Sequence, residues 1–494
     1  CLFYGINRDV LFNERSGIST LSSVTASRCF FICICLCGRE SDRQKRYQAE
    51  IRCNCKLFDN IVCATLHFTM KHSHISHSQP QGGLSRRRFL YAAAAGSALL
   101  SAGALTACAS KPNVPEPLVQ PLGQTTFAAY AADTRAWIES RRRWATDDHA
   151  LELEANCPAE TRPPADTPIL GGILCIHGLG DSPWSFVDQA KNLSAAGWLV
   201  RTVLLPGCGT MPEDMAAPTA DDWRRVVNEQ AHVLRRDLNQ LGPGTDGKPR
   251  PMWLGGFSTG CNLALEAALT GQADADGLLL FSPAFVVRTH LTFLAPLLKP
   301  FITWLREPQE SLMGGQTAFR YTMVPVSGLA AFVDTMRGVD DALKLKPFAK
   351  PAVVMLSEHD SILDAQSLIE WIPQRFTSAQ SRFIWYGSRE SLGKAAKDPR
   401  IIVHPDEIPS ERIWSFSHMA MSFSPDNPEY GRHGRSHICT PEGEKPSYAA
   451  CRRGEVDYGA WGDKRRGRIR ARLTFNPYFD EQQRVIQSVM ERSA

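Results

Sequence analysis

Ser258 stands between two glycines in the run Gly256-Phe-Ser-Thr-Gly260. A serine hydroxyl is a poor nucleophile by itself and needs a base, a group that orients the base, and N–H donors for the oxyanion that forms. The two glycines suit a turn too tight for side chains, with Ser258 at its exposed apex. The run therefore predicts nucleophilic attack by Ser258 on an acyl group.

The residues around this turn supply the strand–turn–helix context that such a motif requires. An apolar run over 252–257 leads directly into Ser258, and residues 262–269 continue with a helical pattern. Upstream, the apolar strand 173–176 ends in His177-Gly178-Leu179. We predict that the backbone amides of Leu179 and Thr259 form an oxyanion hole, and that His177 orders this loop through hydrogen bonds rather than acting as the base.

The acid and the base should follow in the chain order Ser, Asp, His. Asp360 comes just past the apolar strand 351–356 and is the predicted acid, with Glu358 and Asp364 as the alternative carboxylates. Two histidines then compete for the role of base. We predict His418, in the run Trp414-Ser-Phe-Ser-His-Met-Ala-Met, over His404. His359 precedes the acid, whereas His433 and His437 lie in a polar loop.

The elements that must position these residues follow an α/β pattern. From Thr167 onward short apolar runs alternate with amphipathic helices, which predicts a mostly parallel sheet flanked by helices. Helices are predicted over 127–144 and 220–241, the second with a capping box from Thr219 and Asp222. The predicted strands are 169–176, 198–205, 252–255, 277–281, 352–356 and 382–386.

Between Ser282 and Lys350 the alternation pauses. Leu291, Leu294, Leu298 and Phe301 recur at helical spacing among several prolines. We predict a helical cap at about 284–345; the alternative is another packed helix pair.

With these motifs in place, the chain from Pro168 to Met490 resembles the α/β-hydrolase branch that contains bacterial carboxylesterases, monoacylglycerol lipases and lysophospholipases, a domain often called serine-aminopeptidase-like. The run Leu205-Pro-Gly-Cys208-Gly-Thr210 resembles the family's Leu-Pro-Gly-His-Gly-Thr turn, with Cys208 replacing histidine. The segment from Ser422 to Gly431 resembles the stretch just after the family's catalytic histidine.

The resemblance implies an α/β-hydrolase fold over 127–494 and a serine hydrolase of small-molecule or lipid esters. It also implies a mechanism through a Ser258, His418 and Asp360 triad and an acyl-enzyme, with no metal or organic cofactor. The same triad also serves peptidases and acyltransferases, and a non-catalytic binding lipoprotein is a further alternative.

An export signal is predicted over residues 70–107. Arg86-Arg87 before Phe89-Leu90 and a weakly apolar stretch resemble a twin-arginine signal. Leu105-Thr-Ala-Cys108 resembles a lipobox, so we expect Cys108 to carry lipid and residues 108–126 to form a tether. The expected location is the membrane, on the periplasmic or extracellular side.

Position 1 is cysteine, which predicts that translation begins at Met70 and that residues 1–69 are a non-native extension. The one-residue spacing of Cys33, Cys35 and Cys37 fits a zinc site poorly. A net charge of +4 is too small to indicate a nucleic-acid partner.

The C-terminal part carries two further predictions. Cys439 and Cys451 flank one loop and are the best candidate disulfide pair in an oxidising compartment. The alternation over 468–475 predicts an edge strand with its arginines facing solvent; the alternative is a patch for anionic lipid headgroups.

Overall fold

The computed structural model describes residues 118–244, 246–305, 315–439, 445–462 and 470–492. The predicted extension, the signal peptide, Cys108 and the first part of the tether lie outside the described residues. The rest of the predicted tether, residues 118–126, lies against the domain. Gln120 is buried, and its side-chain amide donates to the carbonyl oxygen of Leu204 at 2.9 Å. The packed domain therefore begins before the first helix.

An eight-stranded sheet forms the centre of the domain, in the order β1-β3-β2-β4-β5-β6-β7-β8. Only β1 is antiparallel to its neighbour. Strands β2 to β6 are buried along their whole length, as parallel strands covered on both faces are, which explains why their sequences are continuous apolar runs. The strands are β1 Glu160–Thr161, β2 Gly171–Ile176, β3 Trp198–Val203, β4 Met252–Phe257, β5 Gly277–Phe281, β6 Ala352–Ser357, β7 Arg382–Tyr386 and β8 Ile401–His404.

All six predicted strands are present, with small differences at their ends. The prediction missed β1 and β8. β1 has only two residues, and β8 is a four-residue strand at the edge whose residues are all half-buried. Neither is long enough to stand out in the sequence.

Helices cover both faces of the sheet and enclose two separate apolar clusters. The capping box of α4 is present: Thr219 Oγ1 accepts from the amide of Asp222, and the Asp222 carboxylate accepts from the amide of Thr219. The helices are α1 Phe127–Arg141, α2 His149–Asn156, α3 Val187–Ala195, α4 Ala220–Gln240, α5 Thr259–Thr270, α6 Ala295–Leu298, α7 Val326–Leu345, α8 Ala365–Arg375, α9 Lys445–Arg452 and α10 Phe479–Glu491, with 3-10 turns at Pro183–Phe186, Pro212–Ala216, His290–Leu294, Glu390–Lys397 and Pro409–Glu411.

The structure divides the predicted cap at 284–345 into two parts. Helix α7 packs against α5, and its Met336 and Val339 belong to the main apolar cluster. This helix is part of the layer that covers the sheet, so a cap that includes it is too long. The packed-helix alternative holds for α7, because helical periodicity shows an apolar face without showing what covers it.

The C-terminal region differs from its prediction in one respect and agrees in another. Strand β10, Arg470–Arg472, pairs in parallel with β9, Asp457–Gly459, in a separate two-stranded sheet rather than at an edge of the main sheet. Arg472 is buried rather than facing solvent, so the expectation of solvent-facing arginines is wrong for this residue. The predicted disulfide between Cys439 and Cys451 is present. In the described part of the chain, no helix has the length and apolar character to cross a membrane.

Candidate active site

Ser258 forms the tight turn between β4 and α5. It has a φ of 53°, a left-handed value that is uncommon for residues other than glycine. A Cβ at Gly256 would lie 2.5 Å from the amide nitrogen of Cys261, and one at Gly260 would overlap the carbonyl oxygen of Ile176. The close passage of the backbone on both sides of Ser258 is therefore possible only with glycine at both positions.

A continuous chain of hydrogen bonds joins Asp360, His418 and Ser258. Nδ1 of His418 lies 2.7 Å from Oδ2 of Asp360, and Nε2 of His418 lies 2.9 Å from Oγ of Ser258. An ionised carboxylate only accepts, so Nδ1 carries the proton and Nε2 is free to accept the proton of the serine hydroxyl. All three side chains are buried, which excludes bulk water from these bonds.

The turn after β6 fixes the carboxylate of Asp360. Its Oδ1 accepts from the amides of Ile362 at 2.8 Å and Leu363 at 3.0 Å, while Oδ2 faces the imidazole. Both oxygens are thus occupied, and the carboxylate has one orientation toward His418. This arrangement suits a group that holds the imidazole in one tautomer.

Three serine hydroxyls hold the loop that carries His418, and the sequence analysis missed all three. Ser282 donates to the carbonyl of His418 at 2.9 Å, Ser357 to that of Phe416 at 3.1 Å, and Ser417 to that of Leu473 at 2.5 Å. The loop lacks regular secondary structure, so these bonds take the place of a helix or strand in fixing the imidazole. The sequence signal that could have revealed two of these bonds is the serine at each strand end: Ser282 follows β5, and Ser357 ends β6.

The loop after β2 lies against the nucleophile. A Cβ at Gly178 would be 3.2 Å from the Cβ of Ser258, so the backbone of this loop passes directly beside it. Neither Leu179 nor Thr259 gives its amide N–H to an acceptor within the described residues. Two free donors beside a nucleophilic oxygen are the arrangement that stabilises a developing oxyanion.

His177 orders the loop after β2 through hydrogen bonds, as the sequence predicts. Nδ1 lies 2.8 Å from the carbonyl oxygen of Gly178, and Nε2 accepts from the amide of Leu205 at 3.0 Å. Burial lowers the pKa of His177, which keeps the ring neutral. Both ring nitrogens are engaged away from Ser258.

The neighbouring turn around Cys208 is held by a tyrosine. The hydroxyl of Tyr321 accepts from the amide of Thr210 at 2.9 Å and donates to the carbonyl of Gly207 at 3.2 Å. Cys208 itself is buried, and burial raises the pKa of its thiol. The hydrogen bonds of this turn therefore do not depend on a histidine at position 208.

The alternative acids and bases lie in other settings. Glu358 accepts from Ser388 and Ser391, and Asp364 caps the start of α8 by accepting from the amide of Ser367. His404 stacks on Tyr478, with its ring centroid 4.6 Å from that of the tyrosine, and His359 pairs with Asp406. The structure brings none of them to Ser258.

Comparison with known proteins agrees with the fold. Residues 173–390 match the model of the alpha/beta hydrolase family. This match and the sheet order establish an α/β-hydrolase fold, as predicted. The matched segment contains Ser258 and Asp360 and ends before His418. A search of curated proteins finds no match.

Solved structures with a similar fold include several lipases and esterases. A solved chain from the work on LipS and LipT, two metagenome-derived lipolytic enzymes, has 21% identity and a TM-score of 0.38. The match covers 47% of this chain and 87% of that one. A soluble variant of the monoglyceride lipase of Saccharomyces cerevisiae shows 17% identity and a TM-score of 0.37, covering 49% and 89%. A thermostable carboxyl esterase of Bacillus coagulans shows 15% identity and a TM-score of 0.34, covering 46% and 85%.

Proposed function

We propose that the protein is a serine hydrolase that cleaves carboxylic esters through an acyl-enzyme on Ser258. The observation that carries this proposal is the unbroken series of contacts from Asp360 through His418 to Ser258, next to two unused amide donors. The acid, the base and the nucleophile stand at hydrogen-bonding distance from one another, and the two amides supply donors for the oxyanion.

In the first half-reaction, Oγ of Ser258 attacks the ester carbonyl carbon while its proton passes to Nε2 of His418. The carbonyl oxygen becomes an oxyanion between the amides of Leu179 and Thr259, and Asp360 stabilises the imidazolium. The bond to the alcohol then breaks, and His418 returns the proton to the leaving oxygen. In the second half-reaction, water attacks the acyl carbon as His418 takes its proton, and Ser258 leaves with that proton.

In this proposal an apolar part of the ester binds against the segment between β5 and α7. Two observations on the segment between β5 and α7 support it. Leu179 packs against a small apolar cluster that includes Ala295, Val326 and Leu329. The same segment exposes large apolar side chains, and patches of this kind mark binding surfaces for apolar partners. They are Leu291, Phe293, Leu294, Leu297, Phe301, Ile302 and Leu305.

Labelling with a fluorophosphonate tests the enzyme against a non-catalytic binding protein. The wild-type protein should be labelled, and Ser258→Ala should not be. Ser140→Ala, which changes an exposed serine on α1, is the matched control and should label like wild type. Folded wild-type protein that resists the reagent contradicts the proposal.

A substrate panel then tests the bond that is cleaved. We expect p-nitrophenyl esters of rising chain length to be hydrolysed, and aminoacyl-naphthylamides to be left intact. Faster cleavage of the amides identifies a peptidase, and transfer to an added alcohol in preference to water identifies an acyltransferase. Either result contradicts ester hydrolysis as the function.

We also propose that the enzyme is exported through a twin-arginine signal and anchored by lipid on Cys108. The residues that support this are Arg86, Arg87 and Cys108. The disulfide between Cys439 and Cys451 adds support, because disulfides persist in oxidising compartments outside the cytosol.

The anchor is tested by expression from Met70 with a clickable fatty acid in the medium. Wild type should incorporate the label and sediment with membranes. Cys108→Ala should lose the label, and replacement of both Arg86 and Arg87 by lysine should block export. An unlabelled wild-type protein, or equal labelling of Cys108→Ala, contradicts the anchor.

A further inference from the structure

Arg472 is a buried cation beside the candidate active site. Its side chain lies on β10, and the residue is only 4% exposed. Nη1 lies 3.5 Å from Sδ of Met419, the residue that follows His418. The guanidinium also lies 5.4 Å from the ring centroid of Trp461, and Nε contacts no hydrogen-bond acceptor of the described residues.

A second arginine reaches the same sulfur atom from a different segment of the chain. Nη1 of Arg320 also contacts Sδ of Met419. Arg320 comes from the segment between β5 and α7, and its neighbour Tyr321 donates its amide to the carbonyl of Gly180, in the loop that carries Leu179. The two guanidinium groups therefore meet between the oxyanion loop and the loop of His418.

These two positive charges are not neutralised by an ion pair within the described residues. Asp181 and Asp360 attract Arg472, but each has other partners: Ser185 donates to Asp181 at 2.6 Å, and His418 with two amides occupies Asp360. Burial, reinforced by the charge of Arg320, lowers the pKa of Arg472 to about 9. A buried, unpaired guanidinium is costly, and a bound anion removes that cost.

We propose that Arg320 and Arg472 form a subsite for an anionic group of the substrate, a carboxylate or a phosphate. The planar guanidinium groups match the oxygens of either anion. The substrates of this enzyme are then esters that carry a negative charge near the scissile bond. This inference rests on the proposed ester hydrolysis and adds the charge of the substrate to it.

The test compares a neutral and an anionic ester of similar size, p-nitrophenyl butyrate and mono-p-nitrophenyl glutarate. Wild type should have the higher kcat/KM for the glutarate ester. In Arg320→Gln and in Arg472→Met, the ratio of the two kcat/KM values should fall by about 30-fold or more, as expected when one partner of a buried charge pair is removed. Arg225→Gln, which removes an arginine paired with Glu229 on α4, should keep the wild-type ratio.

Inorganic phosphate and glutarate, each added as a competitive inhibitor of butyrate ester hydrolysis, distinguish the two anions. The preferred one should also raise the melting temperature of Ser258→Ala, and the Arg320→Gln substitution should remove this shift. Arg320 is only half-buried, so its variant keeps the proposal testable where Arg472→Met fails to fold. If the wild-type enzyme hydrolyses neither ester, the proposed function is contradicted. If both esters are hydrolysed, the ratio of their kcat/KM values is the same in all variants, and neither anion raises the melting temperature of Ser258→Ala, only the anion subsite is overturned.

Discussion

The hydroxyl of Ser282 donates to the main-chain carbonyl of His418 at 2.9 Å. Ser282 directly follows β5, has a φ of 47°, and is fully buried. One hydrogen bond therefore ties the end of a central strand to the residue that contacts the nucleophile. The imidazole depends on the sheet for its position although it lies on an irregular loop.

Replacing Ser282 with alanine removes this bond and leaves the carbonyl of His418 buried without its partner. We expect a loss of about 1–3 kcal/mol in the free energy of unfolding. We also expect kcat to fall about 10-fold, because a small displacement of a catalytic group is costly. Urea unfolding and ester hydrolysis measure the two effects. A lower stability with unchanged kcat and an unchanged pH profile identifies Ser282 as structural only.

Replacing Asp360 with asparagine tests the assignment of the acid. The amide keeps the shape of the carboxylate but favours the wrong tautomer of His418, and kcat should fall by about 10⁴ while the fold persists. The matched control is Asp364→Asn, since Asp364 is one of the two alternative acids and caps α8 instead. That variant should lose at most about 1 kcal/mol of stability and keep its kcat. If Asp364→Asn has the larger effect on kcat, the assignment of Asp360 is wrong.

Replacing Gly260 with alanine tests the packing of the turn around Ser258. The new Cβ would overlap the carbonyl oxygen of Ile176, a backbone atom that cannot move aside. We expect a loss of about 3 kcal/mol or more, or no folded protein. Gly271→Ala is the control, since this glycine ends α5 with a φ of 77° and has open space around it. It should cost only about 1 kcal/mol. Equal costs by urea unfolding would show that contact with Ile176 is unimportant.

Acidification should destabilise the protein through one buried histidine, His177, and two half-buried ones, His404 and His437. Burial lowers the pKa of His177, His404 and His437 in the folded state, so between the lowered values and about 6.5 the unfolded chain binds more protons. Their stabilising contribution is complete above about pH 6.5 and is lost as the pH falls toward the folded-state pKa values. The free energy of unfolding, measured with urea, should be lower at about pH 5.5 than at about pH 7.5.

The contribution of His177 to this dependence can be separated. His177→Gln lowers stability at both pH values, because the bonds to Gly178 and Leu205 are altered, but it should reduce the difference between them. His232→Gln replaces an exposed histidine on α4 and should keep the wild-type difference. An unchanged difference in His177→Gln would show that this ring does not control the acid response.

The sequence by itself determined the elements that chain-local patterns specify. The apolar runs of β2 to β7 and the glycines around Ser258 are patterns of neighbouring residues. The glycine turn alone therefore predicts that Ser258 stands at the end of β4. Asp360 follows β6 in the same way. Chain order and the residues around each histidine then favoured His418 over His404 as the base.

Only the tertiary structure decided how separated segments act on one another. It holds His418 at Ser258 through the hydroxyls of Ser282 and Ser357, which come from the ends of distant strands. It also packs α7 onto α5 and buries Arg472 beside Met419. Periodicity reports that a face is apolar or charged, and the partner of that face depends on contacts that local sequence does not contain.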